Sequence, residues 1–333
     1  MTTLTSPLDL LNAVPFLIGF QPKDSIVILS LREEAIDLAM RIDFPHSLDL
    51  EQLETLVGHL TRNGAEAAII ISYIPESNSD ADLILKCFAE TIEERSIPVK
   101  EALVIVGDRW RSTLCADERC CPLEGSPLPV LTDSRIAAEQ VALGRPIPFP
   151  NQEALIESLS PITDECLVAE LISSIEPFDY SIDPSPRQRK GAQAVLDFLY
   201  DFEADGTCRD LALISEVLVS LQDLQVRDFA LGTFSDEKLD TYFDAWKWLM
   251  RIAPATYIAP PATVFAALCY ERGDGAMANR ALDRAMSDNP NYALTSLLRQ
   301  VFSEGMSPSI FKTMRRELHP KVCEAIFSGT MKP

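Results

Sequence analysis

The chain is poor in glycine and in histidine. Thirteen glycines among 333 residues are outnumbered by 23 prolines. That argues against a glycine-lined phosphate site or a β-helix, and proline stiffens the connections instead. The three histidines, His46, His59 and His319, leave imidazole catalysis few candidates. No P-loop, G-x-G-x-x-G, H-E-x-x-H or G-x-S-x-G occurs, which lowers the expectation of a hydrolase or a nucleotide enzyme. No uninterrupted apolar run reaches about 18 residues, so no transmembrane helix is expected. Met1 to Leu11 contains Asp9 and lacks a basic stretch, so no secretory signal is expected. Eight cysteines in such a chain read as reduced thiols, not as a disulfide framework, and a cytoplasmic location is expected.

Positive charge is also scarce. Lys and Arg number 29 against 50 Asp and Glu, a formal charge of −21. Residues 1–150 carry 12 basic and 23 acidic side chains; residues 151–333 carry 17 and 27. The acidity is spread over both halves and forms no tail. An evenly negative surface repels nucleic-acid phosphates and anionic lipid, so neither is expected as a partner. Solubility is the plain meaning of this charge.

Apolar residues make up 47% of the chain, enough for two cores, and the length suits two domains. Residues 8–20 predict a short helix broken at Pro15. Ser25 to Leu31 is an apolar run of strand length, and Glu33-Glu34 is a turn. From Ile36 to Phe44 the pattern alternates, with Ile36, Leu38, Met40 and Ile42 on one face. The two runs predict an antiparallel hairpin. Asp49 with Gln52 is a capping box, and Leu53, Leu56, Val57 and Leu60 follow at helical spacing. Ala67 to Ile74 and Ala102 to Val106 are continuously apolar, which suits strands covered on both faces. A helix carrying Leu85, Phe88 and Ile92 lies between them. The order β-β-α-β-α-β predicts a mixed, layered α/β sheet with right-handed crossovers. An irregular Cys- and Pro-containing extension (107–130) and a helix near 133–143 complete an α/β domain over 1–150.

Residues 151–333 predict an all-α domain. Helical periods fall at about 162–174, 187–203, 209–223, 237–252, 262–272, 276–288, 291–304 and 308–327, with short connections. Gly273, Ala278, Leu282, Ala285 and Pro290 match the second half of a tetratricopeptide repeat, whose period is roughly 34 residues. Ala262 stands where that repeat usually has Trp. The stretch 262–304 is therefore read as a tetratricopeptide-like element, either a partner groove or simple packing. Phe243, Trp246 and Trp248 are core aromatics by default.

Three constellations carry candidate chemistry. Ligands in open α/β sheets sit beyond the carboxyl ends of parallel strands. That edge gathers Asp43 and His46, then Glu76, Ser77 and Asn78, then Asp108 and Arg109. The antiparallel first strand brings Lys23, Asp24 and Ser25 to the same edge. Together these suit a polar metabolite or acid–base work, although Asp, Ser and Asn also cap helices for structural reasons. Arg109 and Arg111 flank Trp110, a pattern more often of a half-buried edge strand with solvated arginines than of a site for anionic or planar ligands. Cys115, Cys120 and Cys121 lie within seven residues. They read as reduced thiols, as a redox pair or as soft-metal ligands. The C-x4-C-C spacing is not a standard zinc pattern, so no metal set is assigned.

Four stretches together resemble one known family. Leu11 to Pro45 (LNAVPFLIGFQPKDSIVILSL…RIDFP) carries the first likeness. Gly107 to Leu128 has an Arg-Trp and Cys…Cys-Cys-Pro pattern, Ala137 to Pro150 (AAEQVALGRPIPFP) fits the middle, and Ala266 to Pro290 fits the C-terminal part. In these the chain is similar to the actinobacterial family called domain of unknown function 4192. The resemblance implies a bacterial cytoplasm. It implies no activity and carries over no functional residues.

The reading that follows is an interaction or regulatory protein. Its helical domain is the candidate for binding a partner protein, and its α/β domain the candidate for a small polar ligand, with no cofactor expected. One alternative is an enzyme in the crevice, with Asp24 or Asp43 as base and Arg109 as anion clamp. The other is a thiol-redox sensor at Cys115, Cys120 and Cys121.

Overall fold

Ser6 accepts a hydrogen bond from the Asp9 N–H and starts helix α1 (Pro7–Ile18), which Gly19 ends at φ 85°. The expected break at Pro15 does not occur. Proline removes one helical N–H, and burial of Leu11, Val14 and Ile18 around it holds the turn in place. The computed structural model describes residues 3–47, 50–75, 81–162 and 165–327. They fall into two compact units, Met1–Leu155 and Ile156–Pro333.

In the first unit α1 is followed by β1 (Ser25–Arg32), β2 (Ala35–Asp43), α2 (Leu50–Arg62), β3 (Ala67–Ile74), α3 (Ala81–Glu94), β4 (Val99–Val106), β5 (Arg109–Ser112), β6 (Ser126–Pro127) and α4 (Arg135–Ala142). The strands form one mixed sheet in the order β2-β1-β3-β4-β5-β6. β1 is antiparallel to both β2 and β3, and β3 is parallel to β4. The layered β-β-α-β-α-β pattern is therefore present. Glu33 and Glu34 make the hairpin turn with φ 50° and 61°. Paired left-handed residues match the right-handed twist of the strands they join.

Alternation along the strands sorts the two faces. Ile26, Ile28, Ala68 and Ile70 pack with Leu53, Val57 and Leu60 of α2 and with Ile84, Phe88 and Ile92 of α3 in one core. Val27, Leu29 and Ile71 point to the other side and are also buried, as a sheet covered on both faces requires. Helix α1 packs against β2 and α4.

The extension after β4 is not wholly irregular. Gly107, at φ 59°, turns the chain back, and β5 pairs antiparallel with the end of β4. β6 pairs in turn with β5. A four-residue strand is too short to show an alternation in sequence. The capping box at Asp49, and Glu76, Ser77 and Asn78, lie outside the described residues.

Beyond α5 (Gln152–Glu157), the second unit holds α6 (Glu165–Ile172), α7 (Ser185–Asp205), α8 (Leu211–Ser220), α9 (Leu224–Gly232), α10 (Leu239–Ile252), α11 (Ala259–Glu271), α12 (Gly275–Asp288), α13 (Ala293–Ser303) and α14 (Pro308–Phe327). Among the described residues this unit has no strand. Helices α5 and α9 have no counterpart in the sequence reading. α9 shows no clean apolar stripe before folding. It depends on Asp223, which is 2% exposed, caps the N–H groups of Gln225 and Val226, and takes hydrogen bonds from Gln188.

Helix α11 is the axis of the unit. It touches α9, α10, α12, α13 and α14, and every residue from Ala259 to Cys269 is buried. α11 and α12 form a hairpin joined at Gly273, with Ala278, Leu282 and Ala285 fully buried in α12. The tetratricopeptide likeness of this hairpin remains one of sequence offsets. A helix enclosed like α11 presents no open groove wall. Trp246 is buried and packs edge-on against Phe198, as the default reading of the aromatics requires.

Candidate functional site

The start of β1 and the end of β2 meet because the hairpin pairs Ser25 with Asp43. The Asp24 carbonyl accepts a hydrogen bond from the Phe44 N–H at 2.8 Å, which closes this end of the ladder. Asp24 itself is left-handed at φ 43°, a conformation that costs a non-glycine residue energy and clusters at ligand sites. The second wall arrives from far along the chain. The Gln21 N–H donates to the Phe149 carbonyl, and the Phe149 N–H donates to that of Gly19, both at 2.9 Å. These bonds bring Asn151, Gln152 and Glu153 opposite the hairpin. The result is an open pocket of about 470 Å³ lined by Lys23, Asp24, Arg41, Asp43, Phe20 and the 151–153 segment.

Arg41 organises the pocket. Its guanidinium pairs with the Asp43 carboxylate at 2.6 Å and lies 5.6 Å from the centroid of the buried Phe20 ring. Its Nε is buried with no hydrogen-bond partner among the described residues. Its other end reaches the Lys23 carbonyl at 3.5 Å, so the guanidinium is held in place as a fixed positive charge in a half-buried site, where attraction for an anion is stronger than in water. Asp24, Asp43 and Glu153 supply acceptors around it. The pocket therefore presents both charge signs over a few ångströms.

The sequence-derived candidates distribute unevenly. Lys23, Asp24 and Asp43 line this pocket together. Ser25 is adjacent but fully buried, and its hydroxyl finds no partner among the described residues. His46 is exposed in the bend after β2. Arg109 does not join them. It stands on β5, four positions from β2 in the sheet order, about 19 Å away at about 4.8 Å per strand. Register also puts it on the opposite face of the sheet from Asp43, and its guanidinium donates to the Gly125 carbonyl at 2.5 Å. Arg111 shares the face of Arg109 while Trp110 is buried on the other, and β6 pairs along the outer side of β5 at Arg109 and Trp110. Arg41, Phe20 and the 151–153 segment join the pocket beyond the sequence-derived candidates. Alternation from Asp43 points to Arg41; no local signal points to a segment returning from more than 100 residues away.

A second constellation sits on the loop between β5 and β6. The sulfurs of Cys115, Cys120 and Cys121 all lie within 4.8 Å of one another. Two anchors hold them there. The Ser112 hydroxyl, on a side chain 4% exposed, donates to Glu101 at 2.6 Å and accepts from the Leu114 and Cys115 N–H groups at 3.2 Å each. At the far end the Asp117 carbonyl accepts from both Cys120 N–H (2.9 Å) and Cys121 N–H (2.8 Å). The Asp117 carboxylate is held below its usual range by the Arg119 side chain and N–H. The Ser112 backbone N–H draws the Cys121 thiol down, yet burial and the neighbouring Cys115 and Cys120 carry it above its usual range.

These features define the class: an α/β unit bearing a mixed-charge pocket and a three-thiol loop, joined to an all-helical unit. The chain matches the model of the family described as Domain of unknown function (DUF4192) over residues 7–309, and it belongs to that family. No curated protein and no solved structure matches it. Among the described residues no helix is long and apolar enough to cross a membrane.

Proposed function

We propose that this chain is a binding protein with a regulatory role, whose α/β unit takes up a small polar metabolite carrying an anionic group beside a cationic or hydrogen-bond-donating one. The observation that supports this is the pocket in which Lys23 and Arg41 face Asp24, Asp43 and Glu153 within about 470 Å³, a size suited to a small ligand. Binding is favoured over acid–base catalysis because the Asp43 side chain is 84% exposed and already paired with Arg41. The test is thermal shift with a panel of amino acids, dicarboxylates and sugar phosphates, repeated on R41Q and K23Q. One compound class should raise the melting temperature of the wild type, and both variants should lose the shift. No shift with any class, or a shift that both variants keep, rejects the pocket.

A protein partner is the second reading, and it belongs to the helical unit. Its support is a stripe on α14: Ile310, Met314 and Leu318, spaced four apart, stay exposed. Such a stripe suits docking against another helix or a groove. A defined protein that co-purifies with the wild type and is lost from I310S/M314S/L318S supports this reading; identical co-purification from both removes it.

A further inference from the structure

We infer that Cys115, Cys120 and Cys121 form a three-thiolate site for a thiophilic metal ion, with a fourth coordination position left for water or an exogenous ligand. The inference is independent of the pocket at Arg41.

Geometry separates this site from a disulfide. Zn–S bonds of about 2.3 Å at tetrahedral angles place sulfurs about 3.8 Å apart. The three sulfurs already converge to within 4.8 Å, so closing on an ion needs shifts of about 1 Å. A disulfide needs about 2.0 Å between two sulfurs and leaves the third unused. All three thiols are free. Cys120 and Cys121 are sequence neighbours with both N–H groups tied to one carbonyl, and their sulfurs nevertheless converge with that of Cys115. The arrangement also exists before any ion arrives, because Ser112 and Asp117 hold the two ends of the loop. Preorganisation by hydrogen-bonded neighbours is what tunes metal sites.

Ligand type and count narrow the chemistry. Three sulfurs and no His, Asp or Glu atom converge among the described residues, which selects soft and borderline ions over Mg(II) or Ca(II). On binding Zn(II) each thiol releases its proton to solvent as its S–Zn bond forms. Three protons leave and the site keeps one net negative charge. So electron-rich a centre is a weak Lewis acid, and the open position makes it a site for reversible loading. Partial exposure of Cys115 and Cys121, and the exposed Cys120, give the ion an entry path.

The experiment uses the full-length chain, reduced and freed of reductant, titrated with Zn(II) alone against a chromogenic chelator. Native mass spectrometry then counts ions and protons. The result expected is one zinc minus three protons, with Cys115, Cys120 and Cys121 protected from alkylation while the other thiols react unchanged. C115S, C120S and C121S should each lower affinity by at least about 100-fold, beyond the ~10–100-fold that an outer-shell partner is worth. Alkylation mapping on the wild type needs no variant and covers a variant that fails to fold. Three results overturn the inference: no stoichiometric zinc, zinc binding that survives in C115S/C120S/C121S, or a chain that closes a disulfide among these cysteines and excludes the ion.

Discussion

Arg315 and Glu271 form an ion pair inside the helical unit, with side chains only 6% and 2% exposed. The guanidinium of α14 meets the last residue of α11 with two hydrogen bonds, lies 5.0 Å from the Phe234 ring centroid and reaches the Gly232 and Phe234 carbonyls. Two buried charges with satisfied donors tie the last helix to the central one. Removing one partner strands the other charge in a low dielectric, which costs about 3–5 kcal/mol. R315A is therefore expected to lower urea stability of the helical unit by that amount, and R315L/E271L to recover much of it. A loss under about 1 kcal/mol for R315A rejects this account.

Gly191 lies in the middle of α7, where Ala would ordinarily gain about 1 kcal/mol. Here a Cβ would come within 2.7 Å of the Ser220 Cβ and 3.1 Å of a Val226 methyl. Overpacking of this kind costs about 1–3 kcal/mol. G191A is expected to destabilise, opposite in sign to its helix propensity. A rise in melting temperature would show that α8 and α9 yield more easily than their packing indicates.

Glu216 on α8 faces Arg187 and Lys190 of α7. Burial pushes its carboxyl up, but the Lys190 hydrogen bond and the Arg187 guanidinium outweigh it and hold the group below its ordinary value of 4.5. A depressed carboxyl stabilises the fold in full above its unfolded value and is lost as pH falls through the folded one. Stability measured from pH 7 downward should therefore decline below about 4.5, and E216Q should flatten that part of the decline. At neutral pH E216Q should cost roughly 1.5–3 kcal/mol, the worth of hydrogen bonds to a charged group. An unchanged pH profile in E216Q would remove the assignment.

Ser112 is a positioning residue for the thiol loop. Its hydroxyl bridges Glu101 to the Leu114 and Cys115 N–H groups. S112A should weaken zinc binding about 10–100-fold while leaving the stoichiometry and the three protected thiols unchanged. Unaltered zinc affinity would mean that the loop is held by the Asp117 turn alone.

Much of the fold is legible in single stretches of sequence. The alternation from Ile36 to Ile42, the apolar run at Ala67 to Ile74 and the turn at Glu33-Glu34 each specify their element through nearest neighbours. Pro15 does not break α1, because one missing N–H weighs less than the burial of Leu11, Val14 and Ile18 around it. Helix α9 carries a local cap, Asp223, but no clean apolar stripe, and the Gln188 contact that buries the cap comes from 35 residues away. In the pocket Lys23, Asp24 and Asp43 were within reach of topology. Arg109 stands apart from them on β5, because strand order is not written in local pattern.

Composition and periodicity by themselves determined the acidic character and the two-part α/β and helical organisation, and four motif stretches carried the family resemblance. Those properties are sums over residues or depend on near neighbours along the chain. The tertiary structure alone decided that β1 sits between β2 and β3, that residues 151–153 close a pocket against Arg41, and that α11 is enclosed. It also decided that three thiols meet at one point. These depend on which distant segments bury one another, and that choice follows from packing the whole chain at once.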